Sequence, residues 1–191
     1  FISASAVGIY GAQVSDKIFI EEDQAFEDFM GNCCKQWENA VDKFKPITRT
    51  VKFRLGVILD KNHGALPRIA NMVKNSLGSP LGDGKQYMPW IHIEDAVNLF
   101  FEAILKKNIS GTFNAVSSDF IDNTNLTKKI GEELNKKIWL PNVPSFVLKF
   151  LYGEMSDTIL KGVKVSNKKI KDTGFKFKYE KIEDALREIY S

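Results

Sequence analysis

The chain has 191 residues, of which 43% are hydrophobic, so it can bury the core of a domain of ordinary size. That length and composition exclude a disulfide mini-scaffold and a disordered tail. The 27 basic and 24 acidic side chains leave a net charge of only +3, far from the signature of a nucleic-acid-binding domain, so we expect no nucleic-acid partner. The uncharged apolar stretches fall short of the ~18 residues that a membrane span needs, so we expect no membrane partner.

The first sixty residues predict strand, helix and strand. Residues 1–7 have the composition of a buried strand. Between 23 and 43, apolar residues recur at three- and four-residue steps, which predicts an amphipathic helix with Met30 and Cys34 on its buried face. Residues 50–59 predict a strand that is covered on both faces, as in a parallel α/β sheet.

The middle of the chain continues this alternation. Residues 65–77 predict a helix, and a glycine-broken loop leads from it to a short strand over 86–92. Another helix opens near Glu94 and Asp95, with Asp95 as its cap or, alternatively, as a ligand.

The last third of the chain changes character. Residues 112–116 predict a core strand and 123–135 a helix, after which the two prolines of 140–144 predict a rigid connector. Short helices follow, ending in an amphipathic one over 182–190.

The cysteines and histidines argue for a reducing compartment and against a metal site. Cys33 and Cys34 are the only cysteines, and adjacent cysteines are poorly placed for an unstrained disulfide. We therefore expect a cytoplasmic protein. His63 and His92 lie far apart and no carboxylates have ligand spacing beside them, so we expect no metal.

Several linked motifs resemble those of one known family. They lie at residues 3–11, 37–38, 54–59, 64–66 and 90–95, with weaker matches at 153–155 and 174–177. Their order and spacing resemble nucleoside-diphosphate-sugar epimerase-like proteins, which are atypical members of the extended short-chain dehydrogenase/reductase superfamily.

The resemblance implies an α/β fold: the second half of a Rossmann-like parallel sheet, a small substrate-side region and a helical C-terminal appendage. It assigns residues 1–138 to the C-terminal part of an NAD(P)-binding Rossmann-like domain, with its substrate-side insertions. Residues 139–191 form a small helical C-terminal domain. No glycine-rich dinucleotide-binding turn occurs in the chain, so we expect an upstream half of roughly a hundred residues to be missing. The strand over 1–7 would then expose an edge through which the chain can self-associate.

The resemblance also points to catalytic residues, with one departure. Extended members use a serine at a strand end and Tyr-x-x-x-Lys on the next helix; Ser5 matches the serine, but the tyrosine and lysine positions fall on Met30 and Cys34. Neither side chain can replace the pair, because a thioether has no proton to transfer and a neutral thiol is no ammonium. We therefore take Ser5, Tyr10 and Cys34 as catalytic candidates. The simpler alternatives are that Tyr10 packs or bonds beside its turn and that Cys34 is an inert buried thiol.

By the same resemblance the cofactor is NADP and the ligand a small-molecule substrate. Ser3, Arg54 and Leu55 are the expected cofactor contacts, and a buried Arg54 needs a partner in any case. Gln86, Trp90 and His92 are the expected substrate contacts, although His92, between two isoleucines, also fits a structural role.

The resemblance implies an epimerase-like, oxidoreductase-like NAD(P)-binding protein that acts on an unknown substrate of nucleotide-sugar type. The alternative is a noncatalytic ligand-binding or regulatory protein of the same fold that has lost the Tyr/Lys pair.

Overall fold

The chain alternates strands and helices, and the structure, a computed structural model, describes residues 1–191. The strands are β1 (Ile2–Ala6), β2 (Ile18–Phe19), β3 (Val51–Leu55), β4 (Val57–Leu59), β5 (Trp90–His92), β6 (Gly111–Ala115) and β7 (Lys164–Val165). The helices are α1 (Phe29–Asp42), α2 (Ala65–Lys74), α3 (Ile93–Leu105), α4 (Asn123–Glu133), α5 (Ser145–Tyr152), α6 (Ser156–Leu160), α7 (Lys168–Asp172) and α8 (Ile182–Tyr190). Two 3-10 segments lie at Val7–Tyr10 and Gly153–Met155.

Three parallel strands form the central sheet in the order β1-β3-β6. Helix α1 connects β1 to β3 and contacts β1, while α3 contacts β1 from the apolar side of the sheet. Parallel strands and covering helices confirm the predicted α/β, Rossmann-like class.

The predicted strand over 50–59 is two strands, because the chain changes partners at Gly56. β3 belongs to the central sheet, whereas β4 pairs in parallel with β5. At the break, the Gly56 amide donates to the Ala115 carbonyl (3.1 Å) and the next amide donates to the carbonyl of Pro89 (2.7 Å). A Cβ on Gly56 would lie 2.5 Å from that Pro89 oxygen, so the close approach requires glycine.

The predicted helix over 23–43 is shorter, and its buried face is narrower. It begins after Asp28, whose carboxylate accepts a hydrogen bond from the Gly31 amide (2.7 Å) and so caps α1. Phe29 and Trp37 are among the apolar residues whose spacing predicts this helix, but they are 81% and 52% exposed. Cys34 is buried, in agreement with the prediction.

The C-terminal residues pack into the same layers as the rest of the chain. β7 pairs in parallel with β2, and α8 packs against α4 in one of three buried apolar clusters. The boundary between residues 138 and 139 therefore stays a prediction. None of the helices is both long and apolar enough to cross a membrane.

Candidate functional site

One face of the central sheet is polar. Strand alternation and register place Ser5, Arg54 and Asn114 side by side on the face that α1 covers, with Lys52 next to Arg54 along β3. The opposite face carries Val51 and the other apolar residues of β3 against α3. Parallel sheets that are covered on both faces are normally apolar on both, so these buried charges need partners in the fold.

Glu38 of α1 is the central partner. Its carboxylate accepts hydrogen bonds from Ser5 Oγ (2.9 Å) and from Arg54 Nε and Nη2 (2.7 and 3.1 Å). Lys52 Nζ lies 3.3 Å away and also pairs with Asp42 at 2.7 Å. Burial acts to raise the pKa of Glu38, but the hydrogen bonds and charge of Arg54 outweigh it and hold the pKa below its usual value. Glu38 is therefore a carboxylate that fixes α1 to the sheet.

Tyr10 is enclosed in the same network. Arg54 Nη1 donates to the Tyr10 hydroxyl (3.0 Å), which in turn donates to Asn114 Oδ1 (2.7 Å). Burial raises the pKa of Tyr10 to about 12, although the charge of Arg54 opposes the rise. Its hydroxyl thus stays protonated and is held by structural partners, which is the packing alternative for this residue.

Arg54 uses most of its donors within the chain. Besides the bonds to Glu38 and Tyr10, Nη1 donates to the backbone carbonyl of Glu21 (3.1 Å), so four of the five guanidinium N–H groups have protein partners. One N–H group has no hydrogen-bond partner, and Arg54 also lines the polar slot described below, so its role as a cofactor contact stays a prediction.

The neighbouring residues also differ in what they can offer a ligand. Ser3 Oγ, half-buried on β1, donates to the Ala4 carbonyl (2.9 Å). Leu55, half-buried, ends β3 and packs against the apolar cluster on the α3 side. Neither side chain is committed to the polar network, so both keep their predicted role as an expectation.

Met30 and Cys34 face the segment that follows β1. A Cβ on Gly8 would lie 3.1 Å from Met30 Cε and 3.8 Å from Cys34 Sγ, so the missing side chain lets α1 approach this turn. Burial raises the pKa of the Cys34 thiol, and the charge of Glu38 adds to the rise. The thiol is therefore neutral and an unsuitable nucleophile at physiological pH.

A polar slot of about 680 Å³ lies beside this network, between α1 and the loop over 20–28. Lys52 and Arg54 contribute from the sheet, Glu38 and Asp42 from α1. The side of α1 that lines the slot and faces β3 is therefore polar.

The three expected substrate contacts are buried and serve the fold. His92 is 1% exposed; its Nδ1 accepts from the Glu94 amide (3.2 Å), which caps α3, and its Nε2 lies 3.0 Å from Glu188 Oε2. Gln86 Nε2 donates to two backbone carbonyls, and Trp90 lies in an apolar cluster. None of the three is more than 6% exposed, and their role as substrate contacts stays a prediction.

Asp95 does not cap its helix as expected. Its two carboxylate oxygens accept hydrogen bonds from the backbone amides of Lys178 and Tyr179 (2.8 and 3.0 Å) and so attach the C-terminal segment to α3. The cap comes from His92.

Sequence reasoning missed several members of the polar network. They are Glu38, Lys52 and Asn114, together with Glu21, whose carboxylate accepts from the Asn114 amide at 2.7 Å. The alternation of Lys52 and Arg54 on a predicted buried strand was the available signal, because two buried cations require acids nearby.

Comparisons with known proteins agree with this geometry. Residues 143–189 match a family model described as a domain of unknown function, DUF1731. The chain is 36% identical over 188 residues to the epimerase family protein SDR39U1 homolog, chloroplastic, of Arabidopsis thaliana, and 37% identical over 190 residues to the epimerase family protein YfhF of Bacillus subtilis. These alignments cover 98% of this chain and 54% and 62% of the relatives.

A solved structure gives the same result. Human epimerase family protein SDR39U1, crystallised with NADPH, superposes with a TM-score of 0.92 at 28% identity, over 99% of this chain and 64% of that one. Over 98–99% of its length the chain is similar to epimerase family proteins, in agreement with the motif resemblance to atypical short-chain dehydrogenases/reductases. This epimerase-like chain spans less than two thirds of the length of these relatives, so the activity of the whole protein is a matter for proposal.

Proposed function

We propose that the chain forms the nicotinamide and substrate side of an epimerase-like protein that binds NADP(H) and acts on a small molecule of nucleotide-sugar type. The observation that supports this most directly is the close packing of Gly8 against Met30 and Cys34 at the carboxyl end of β1. In open α/β sheets, ligands bind outside the carboxyl ends of the strands. The human relative that shares this fold was crystallised with NADPH.

The residues at this edge fit one end of the cofactor. A glycine without a side chain and a half-buried thioether, backed by the neutral thiol of buried Cys34, give a soft, uncharged surface that suits the flat nicotinamide ring. The chain has no glycine-rich turn for the pyrophosphate. NADPH, when bound, supplies hydride chemistry; Gly8 and Met30 would hold its nicotinamide end, with Cys34 behind them and Leu55 at the carboxyl end of the adjacent strand β3. Ser3, near the amino end of β1, stays a separate expected contact.

Ser5 is the remaining catalytic candidate, with a limited role. Its hydroxyl proton points to Glu38, so the oxygen is left to accept a hydrogen bond from a ligand rather than to donate one. Ser5 would thus orient a substrate hydroxyl and would transfer no proton itself.

Saturation-transfer NMR with NADPH and with nicotinamide mononucleotide tests the proposal on this chain. We expect transfer to the nicotinamide protons, lost in Met30→Trp, whose larger ring covers the surface beside Gly8. The matched control is Cys33→Trp, an exposed position on the same helix, which should keep the transfer. Absence of transfer, or equal loss in both variants, would refute the assignment of this surface.

A noncatalytic ligand-binding or regulatory role is the second candidate. It is favoured by the state of the proton donors: Tyr10 is held by Arg54 and Asn114, Ser5 donates to Glu38, and Cys34 is buried with a raised pKa. Turnover of NADPH with any nucleotide sugar that is lost in Ser5→Ala would contradict this candidate. Binding without turnover would support it.

We also propose that the protein acts in the cytoplasm. Both cysteines are free, and one of them is exposed, as suits a reducing compartment. Cell fractionation with an antibody against this chain tests the proposal, and recovery from an organelle or the medium would contradict it.

A further inference from the structure

The polar slot between α1 and the loop over 20–28 has no part in the proposed function. Its volume of about 680 Å³ lies within the range of about 300–1,000 Å³ that small-molecule pockets have. Its floor strand, β3, is paired on both sides, by β1 and β6. Ile9 and Ala25 are the only apolar residues of the lining, so the slot suits a polar small molecule rather than an apolar one.

Two buried cations on the floor of the slot have hydrogen-bond donors without a protein acceptor. Lys52 and Arg54 are 4% and 6% exposed, and both line the slot. One hydrogen of Arg54 Nη2 has no acceptor in the chain, and Lys52 Nζ, with three N–H groups, has two carboxylate partners. Buried donors are normally satisfied by water or by a ligand, so the floor favours a ligand that accepts hydrogen bonds.

These two donors lie close enough to contact one ligand group. Arg54 Nη2 and Lys52 Nζ are 3.1 and 3.3 Å from the same oxygen of Glu38, Oε2. A ligand group with two oxygens, such as a carboxylate, can therefore accept from both cations. Hydrogen bonds between ionised partners are shorter and stronger than those between neutral groups, which favours an anionic group on this floor.

The charges of the lining favour a single negative charge on the ligand. Three cations and three acids line the slot, so the lining is neutral overall. Glu38 and Asp42 lie beside the floor cations and repel any added anion. This repulsion is smaller for a carboxylate than for a phosphate dianion, which carries twice the charge.

The walls of the slot offer groups that suit hydroxyls. Gln24, Asn32 and Asn39 contribute side-chain amides, which both donate and accept hydrogen bonds. Asn32 and Asn39 are seven residues apart on α1, which is about 10 Å along the helix axis. The wall therefore suits a ligand that carries hydroxyl groups along a chain of several carbons.

We propose that this slot binds a small polyhydroxylated carboxylate, of the aldonate class, at a site separate from the nicotinamide surface. Lys52 and Arg54 donate to the carboxylate, and the wall amides contact the hydroxyl groups. Asn39 follows Met30 by nine residues, which at about 100° per residue places the two on opposite sides of α1. The slot and the surface beside Gly8 are therefore occupied independently.

Isothermal titration calorimetry with D-gluconate tests the site on this chain. We expect saturable binding of gluconate. D-sorbitol, which has the hydroxyl groups of gluconate but no carboxylate, should bind at least tenfold more weakly, and inorganic phosphate at least fivefold more weakly. Equal or tighter binding of either probe would overturn the carboxylate as the recognised group, and absence of gluconate binding would overturn the site.

Variants locate the binding in the slot. Lys35→Glu, at an exposed position of the lining, should weaken gluconate binding at least fivefold. The matched control is Lys43→Glu, which makes the same change of charge at an exposed position outside the lining and should leave the affinity within twofold. Lys52→Met should weaken binding at least tenfold, with folding checked by circular dichroism. Equal losses in Lys35→Glu and Lys43→Glu would overturn the assignment to the slot.

A competition experiment separates this proposal from the proposed NADP(H) site. Nicotinamide mononucleotide should leave the affinity for gluconate unchanged, and Met30→Trp should still bind gluconate. Displacement of gluconate by nicotinamide mononucleotide would overturn the separate site. Gluconate binding without any binding of nicotinamide mononucleotide would overturn the nicotinamide surface and support the slot.

Discussion

Replacing Glu38 by glutamine should destabilise the fold by about 3–5 kcal/mol, because the change keeps the shape of the side chain and removes the charge that balances two buried cations. Glu38 accepts two hydrogen bonds from Arg54 and one from Ser5, and its carboxylate lies 3.3 Å from Lys52. All three charged side chains are at most 7% exposed. The total free energy of unfolding of a native domain is about 5–15 kcal/mol, so this loss would be a large share of it.

A double-mutant cycle with Arg54→Met tests the reason for this loss. If Glu38→Gln is costly because it leaves Arg54 unpaired, removing both charges should cost less than the sum of the single changes by about 1–3 kcal/mol. Urea unfolding followed by circular dichroism at pH 7 measures all four proteins. Glu132→Gln, in an exposed pair with Lys129, is the control and should change stability by less than about 0.5 kcal/mol. Additivity of the two buried changes within about 0.5 kcal/mol would refute the pairing.

The same substitution gives a pH signature. The pKa of Glu38 is lower in the folded state than in the unfolded state, where it is about 4.3. The ionised carboxylate therefore contributes its full share of folding stability above the unfolded-state pKa, and this share is lost as the pH falls through the folded-state pKa. The stability difference between the wild type and Glu38→Gln should therefore be constant from pH 7 to about 5.5 and shrink under more acidic conditions. A difference that grows on acidification would contradict the sign.

Three further predictions concern the surroundings of this network. Tyr10→Phe should cost about 1–2 kcal/mol in urea unfolding, because its hydroxyl joins the Arg54 guanidinium to the sheet; an unchanged midpoint would contradict this. Gly56→Ala should cost at least about 1–3 kcal/mol, since the new methyl group would lie 2.5 Å from a carbonyl oxygen, and a neutral result would contradict that close approach. Iodoacetamide should label exposed Cys33 at least tenfold faster than buried Cys34 in the native protein, with the rates converging in urea; equal native rates would show that Cys34 is accessible.

Periodicity predicted which elements exist better than which faces are buried. The helix over 182–190 has the predicted bounds, because its apolar stripe meets α4 within the chain. In α1 the apolar residues Phe29 and Trp37 are exposed, while Glu38 is buried. Hydrophobicity indicates which face of a helix can be covered, but burial depends on the partner that packs against it. The sheet face under α1 is polar, so α1 turns Glu38 towards the sheet.

Motif resemblance singled out Ser5, Tyr10 and Arg54, which share one polar network, whereas the contacts of each side chain depend on packing that spacing does not reveal. Arg54 was expected to need a partner, and four of its donors are satisfied within the fold. His92 and Trp90 lie in the expected family motif, but the structure buries them behind the surface. The same motif can mark residues that build a cleft rather than contact its ligand.

The polar network also explains how the fold can persist without the Tyr-x-x-x-Lys pair. Between Met30, Cys34 and Glu38 the helix advances one turn at a time, so the first two face the edge of the sheet while the third reaches Arg54. Anchoring of α1 thus depends on Glu38, and the two preceding positions carry no buried charge that the fold requires. Substitution at those positions can change the chemistry at the sheet edge without removing the charge pair that anchors α1, so an epimerase-like fold here does not by itself imply an epimerase reaction.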